Sequence, residues 1–81
     1  PYVLGGDLER SIAHFQKAIQ LGSEFGENYL GLAEAYIENG DFILAKDILH
    51  TILNMKLSSQ KKESVLEWKT QALDFLKKIQ N

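Results

Sequence analysis

The sequence has no cysteine, a single proline (Pro1) and no apolar run close to the length that crosses a membrane. Without cysteine, the chain can form neither a disulfide nor a thiolate metal site. A membrane-spanning helix needs about 20 consecutive apolar residues, so we expect no membrane span. Because the only proline is the first residue, its ring bars no later segment from forming a helix.

Net charge is also small, at −2 over 81 residues. A chain with so little charge does not attract nucleic acid, so we expect no nucleic-acid partner. The charge is unevenly distributed, because residues 1–55 carry eight acidic and three basic side chains, whereas residues 56–81 carry three and six. An acidic front and a basic tail can attract each other within or between chains, or they can be two solvated faces.

The residue types that carry catalysis or bind metals are present but poorly arranged. His14 and His50 are 36 positions apart and have no third ligand at a useful spacing. Glu34 and Glu38 lie one helical turn apart, in a pattern typical of solvated carboxylates rather than of an acid–base pair. Gly5 and Gly6 are not followed by the spacing of a phosphate-binding loop. We therefore expect no enzyme activity, no cofactor and no metal site.

Four stretches repeat apolar residues every three or four positions, which predicts four amphipathic helices. Asp7 and Asp41 precede the first and third stretches as candidate N-caps, and Ser58 or Ser59 precedes the last. The third stretch is apolar almost all round and is expected to pack on two sides. In the last stretch Trp68 is expected to anchor the helix to the core. The predicted helices cover residues 7–21, 24–39, 42–56 and 59–80.

Chemically similar residues recur 34 positions apart along the first two thirds of the chain. The clearest pairs are Tyr2 with Tyr36, Gly6 with Gly40, and Asp7 with Asp41. A 34-residue period of helix–turn–helix units is typical of tetratricopeptide repeats. The best-matching unit has an aromatic residue, a Leu-Ala pair, a tyrosine, a Gly-Asp turn, a small residue and a large apolar one: Tyr29, Leu32-Ala33, Tyr36, Gly40-Asp41, Ala45 and Leu49.

On these residues the chain resembles the tetratricopeptide repeat family. The resemblance implies an all-α superhelix of about one and a half helical hairpins with a long C-terminal capping helix. Residues 1–22 would be the second half of a repeat, 23–57 a full hairpin, and 58–81 a capping helix or a displaced third-repeat helix. Ser23 and Leu57 depart from the family pattern where proline is usual, and Gln71 departs where leucine is usual.

The resemblance also implies a function in protein–protein interaction. In such solenoids the first helix of each hairpin lines a concave groove, where a protein or peptide partner binds. The carboxylate-clamp subtype needs lysine and asparagine at its groove-facing positions, and the matching positions here have neither, which disfavours capture of a peptide C-terminus. An acidic groove with apolar islands suits a basic or amphipathic partner, unless these are simply solvated helix residues. The predicted groove residues are Glu27, Leu30, Glu34, Ile37 and Glu38.

Two further functions are compatible with the sequence. A half repeat would leave Leu8, Phe15 and Ile19 short of a packing neighbour, so chains could associate into a homo-oligomeric scaffold. The words PYVLGGDLE, LAE and QAL, at 1–9, 32–34 and 71–73, are similar to the T component of tripartite periplasmic (TRAP-type) transporters. That narrower resemblance implies an accessory role in bacterial periplasmic transport. The compartment stays open between the cytoplasm and the bacterial periplasm.

Overall fold

The computed structural model describes residues 7–58 and 60–80, and these ranges contain four α-helices and no strand. The all-α fold predicted from the repeat is therefore confirmed. The third helix ends earlier than predicted and the fourth begins later, so the connection between them is longer. The helices are α1 (Leu8–Leu21), α2 (Gly26–Glu38), α3 (Phe42–Leu53) and α4 (Lys62–Ile79).

The predicted helix boundaries are set by different local contacts. Asp7 caps α1 as expected, because its carboxylate accepts a hydrogen bond from the backbone N–H of Arg10 at 3.0 Å. Gly40 follows α2 with a φ of 81°, a left-handed conformation that glycine adopts without strain. Asp41 occupies the N-cap position of α3 but makes no capping bond, and its carboxylate accepts instead from the Asn39 side chain at 2.9 Å.

The start of α4 differs from the prediction in one respect. The hydroxyl oxygen of Ser58 accepts from the backbone N–H of Lys61 at 3.2 Å, so Ser58 stabilises a turn just before the helix. The N-cap position itself belongs to Lys61, which makes no side-chain capping bond. Ser59, the alternative cap, lies outside the described residues, as do Tyr2 and Gly6 of the repeat. The first turn of α4 is therefore formed without the predicted capping hydroxyl at its N-cap.

Helix α2 lies at the centre of the bundle and packs against α1, α3 and α4. The main core forms where α2, α3 and α4 meet, and Trp68 belongs to it as predicted. Helix α4 packs on both helices of the preceding hairpin, which either of its two predicted roles requires. Fully or nearly fully buried side chains of this core are Leu30, Ala33, Leu49, Ile52, Val65, Trp68, Ala72 and Leu76.

Two glycines allow α2 to approach its neighbours closely. A Cβ added at Gly31 would lie 2.4 Å from the Phe15 ring of α1, and one added at Gly26 would lie 2.3 Å from the Trp68 ring of α4. Real Cβ atoms do not approach ring atoms so closely, so each aromatic ring occupies the space of a missing side chain. These contacts fix which sides of α2 face α1 and α4.

The outer helices bury less apolar surface than their sequences suggest. Helix α3 contacts α2 and α4 as expected, yet Ile43 is 79% exposed and Leu44 is about half exposed. On α4, Leu66 and Leu73 are 45% and 48% exposed. The reason is geometric, because neighbouring helices cover only one face of each outer helix in the described chain.

Candidate partner-binding surfaces

Helix α2 has three packed sides and two open ones. Gly31 marks the side that faces α1, Gly26 marks the side that faces α4, and Ala33 lies in the core shared with α3. Because successive residues of a helix are rotated by roughly 100°, the remaining residues fall into two strips, although Leu32 and Ala35 among them are buried. One strip runs between α1 and α4 and carries glutamates. The other runs between α1 and α3 and carries Tyr29 and Leu32.

The first open strip, called the acidic strip below, consists of Glu27, Glu34, Ile37 and Glu38. Glu27 and Glu38 are exposed, whereas Glu34 and Ile37 are partly buried. The helix contains three glutamates and no basic residue. The three glutamates therefore give this surface one sign of charge, with the apolar Ile37 beside them, and that a partner binds there stays a prediction.

Leu30 was also predicted to face the groove, and the structure corrects this. Its side chain is 0% exposed and belongs to the central core cluster. Helix α4 packs against α2 on the side that carries Leu30, so the residue contacts the core and not a partner. The family pattern gives the face of a single helix correctly but not how far the next helix reaches across it.

Helix α4 contributes a part of this surface that the sequence analysis missed. The Nζ of Lys69 donates to the Leu53 carbonyl at 2.9 Å, which places one edge of α4 beside α3. Helical spacing places Gln71, Phe75 and Lys78 on the other edge of α4, the side of Trp68, whose ring contacts α2 at Gly26. Asp74 and these three residues line a small surface pocket of about 180 Å³.

The α4 edge combines an apolar ring with a cation. Phe75 is partly buried against the core, and the Nζ of Lys78 lies 5.8 Å from the centre of its ring. The spacing of Gln71, Phe75 and Lys78 by three and four residues was a usable signal in the sequence. The position of Phe75 beside the acidic strip was not predicted, because it depends on where α2 lies.

The structure shows no arrangement of metal ligands in the described ranges. His14 and His50 are both exposed, and the His14 ring packs edge-on against Phe15 with centroids 5.3 Å apart. No three histidine, aspartate or glutamate side chains of the described chain are close enough together to hold an ion. Likewise, none of the described helices has the length and apolarity needed to cross a bilayer.

Stacked antiparallel helices with small residues at their contacts define a helical-repeat protein. A model of the tetratricopeptide repeat family matches residues 3–59, and the chain belongs to that family. Repeats of this family generally serve as protein–protein interaction modules and are typically not catalytic. No curated protein and no solved structure matches the chain. The narrower resemblance to the transporter component therefore stays a prediction.

Proposed function

We propose that this chain is a protein–protein interaction module whose acidic strip and adjoining α4 edge bind a basic or amphipathic segment of another protein. The observation that carries this proposal is the composition of α2, which presents Glu27, Glu34 and Glu38 and has no basic residue. Complementary charge on a partner would steer its approach and set its register.

Apolar contacts would supply the rest of the affinity. Ile37 on α2 and Phe75 on α4 are partly buried, so each leaves apolar surface for a partner side chain. An amphipathic helix that alternates basic and apolar residues matches a surface on which glutamates lie next to these two residues. Lys78 at the α4 edge would disfavour a basic residue there, which limits the orientations a basic helix can adopt.

The test reverses the charge of the two exposed glutamates. The variant carries Glu27→Lys and Glu38→Lys, and leaves unchanged Glu34, which interacts within the protein. Binding of a short fluorescein-labelled peptide, in which lysines flank a helical stripe of leucines, is followed by fluorescence anisotropy. Each exposed charge pair contributes up to about 1 kcal/mol, and reversal replaces attraction with repulsion, so we expect roughly tenfold weaker binding or more.

A matched control distinguishes an effect of where the charges lie from an effect of the net charge. Asp47 on α3 and Glu63 on α4 are exposed and lie off the acidic strip, and changing both to lysine alters net charge equally. We expect the control variant to bind the lysine–leucine peptide nearly as the parent does. Equal weakening in both variants would mean that net charge, not the acidic strip, attracts the peptide. No weakening in either would rule the site out.

Self-association is a second candidate function, and one observation favours it. Leu66 and Leu73 lie two turns apart on the same face of α4, and each exposes nearly half of its surface. A second copy that covered these leucines would bury apolar area that one chain leaves in water. Sedimentation should then show a dimer that dissociates on dilution and is weakened by Leu66→Ser with Leu73→Ser. A monomer at all concentrations would exclude this function.

A further inference from the structure

The second open side of α2 forms a cleft on the described chain, and we call it the outer cleft. It has a volume of about 470 Å³ and lies between α1 and α3. No Cα atoms of these two helices come within 8 Å of each other, so the space between them is not closed by helix packing. Its principal lining residues are Gln16, Lys17, Gln20, Tyr29, Leu32 and Ile48.

The floor and one wall of the outer cleft are apolar and held in place. Leu32 is buried at the bottom, and Tyr29 and Ile48 are partly buried beside it and pack against the central core. The side-chain amide of Gln16 donates to the Tyr36 hydroxyl at 3.1 Å, which ties α1 to α2 next to the cleft. A pocket of roughly 300–1,000 Å³ with an apolar floor and a few polar rim groups is typical of ligand sites.

The rim of the outer cleft differs in charge from the acidic strip. Among the described residues that line it, Lys17 is the only charged one, and the other polar groups are the Gln16 and Gln20 amides and the Tyr29 hydroxyl. No carboxylate of residues 7–58 or 60–80 lines it, although the chain as a whole has more acidic than basic residues. A single exposed cation above an apolar floor is complementary to a carboxylate that lies close to an apolar group.

We propose that the outer cleft is a second binding site, which takes an acidic peptide segment. A leucine or phenylalanine side chain of the segment packs against Tyr29, Leu32 and Ile48, and a neighbouring glutamate or aspartate pairs with Lys17. The rim amides of Gln16 and Gln20 hydrogen-bond to the peptide backbone, since amides both donate and accept. This site is separate from the acidic strip and takes a partner of opposite charge.

The test uses two blocked tripeptides that differ only in charge. Acetyl-leucyl-phenylalanyl-glutamyl amide is titrated into the isotopically labelled protein, and acetyl-leucyl-phenylalanyl-lysyl amide is the control. We expect saturable NMR shifts of the Ile48 and Leu32 methyl groups and of the Gln16 and Gln20 side-chain amides. The lysyl peptide should bind about threefold more weakly or worse, because an exposed ion pair contributes up to about 1 kcal/mol.

Two charge variants of α1 then show where the carboxylate of the glutamyl peptide binds. Lys17→Glu should weaken the glutamyl peptide about threefold or more and reverse the preference between the two peptides. Arg10→Glu makes the same charge change on an exposed side chain of the same helix, outside the cleft lining, and should leave both affinities unchanged. Unshifted Trp68 indole resonances would show that each variant retains its fold.

Three outcomes would overturn the proposal. The first is that saturable shifts fall on Leu66 and Leu73 rather than on Ile48 and Leu32, which would place the acidic peptide among the α4 lysines. The second is that Lys17→Glu and Arg10→Glu weaken the glutamyl peptide equally, which would mean that net charge attracts it. The third is that neither tripeptide produces saturable shifts in the outer cleft.

Discussion

The two open sides of α2 are built on one helix, yet they differ in both charge and shape. The acidic strip carries exposed carboxylates on an open surface, whereas the outer cleft has a buried apolar floor and Lys17 on its rim. The whole-chain charge of −2 sums eleven acidic and nine basic side chains, so it does not show where either surface lies. A helix enclosed by three neighbours can therefore present two different binding chemistries.

The difference arises from the side chains that line each opening. Helix α1 has no Cα atom within 8 Å of either α3 or α4, so both openings lie between helices that stand apart. Glutamates of α2 line the first opening, whereas Tyr29 and Leu32 of α2 and Lys17 of α1 line the second.

We expect the largest effect from a change in the core that supports both open sides of α2. Leu30→Ala deletes a fully buried side chain from the central core, and large-to-small core changes of this kind cost about 2–5 kcal/mol. We expect a large drop in the urea midpoint and parallel loss of both peptide-binding activities as the protein unfolds. Leu21→Ala, at a 79% exposed position, is the control and should shift stability by less than about 0.5 kcal/mol. A small effect of Leu30→Ala on stability would mean that the Leu30 side chain faces the groove and not the core.

We expect the next largest effect from a change that pushes α1 away from α2, because α1 borders both open sides of α2. Gly31→Ala gains up to about 1 kcal/mol of helix propensity but forces a methyl group into the Phe15 ring. We expect a net loss of about 1–3 kcal/mol by chemical denaturation, which is the usual cost of overpacking. Adding Phe15→Leu should cost less in the Gly31→Ala background than in the parent. A stabilised Gly31→Ala protein would show that the contact is loose.

Testing each charge variant with both peptides shows whether the acidic strip and the outer cleft bind independently. Glu27→Lys with Glu38→Lys should weaken the lysine–leucine peptide roughly tenfold and leave the glutamyl tripeptide unaffected. Lys17→Glu should do the reverse, weakening the glutamyl tripeptide about threefold and sparing the lysine–leucine peptide. Anisotropy and NMR titrations measure the two affinities. Cross-effects of similar size would mean that the two sides behave as one surface.

The smallest effect concerns the turns at one end of the molecule. The Nζ of Lys61 lies 4.5 Å from the centre of the Phe25 ring, which joins the α1–α2 turn to the segment before α4. Lys61→Ala should cost about 0.5–1 kcal/mol in thermal or urea denaturation, a typical value for an exposed cation–π contact. Lys61→Arg keeps a cation and should retain most of this stability. Equal losses in the two variants would assign the effect to helix capping.

The repeat period predicted the part of the structure that depends on local pattern. Spacing of three and four residues gave the four helices, and the Gly40-Asp41 turn gave the boundary between α2 and α3. These features follow from the order of side chains along one helix, which a sequence shows directly. That the glutamates of the acidic strip bind a partner stays a prediction.

Features that depend on the distance between helices were not predictable. Leu30 was misplaced because α4 covers it, and Gly31 had no assigned role because its partner Phe15 lies on another helix. The outer cleft was missed since it exists only where α1 and α3 stand apart. Helical periodicity shows which way a side chain points, but not whether a neighbour covers it.

The methyl groups of two isoleucines test most directly whether the two open sides of α2 bind peptides of opposite charge. Ile37 lies on the acidic strip and Ile48 lines the outer cleft. We predict that the lysine–leucine peptide shifts the Ile37 methyl resonances and that the glutamyl tripeptide shifts those of Ile48, each without the other. Both peptides shifting the same isoleucine would contradict the account.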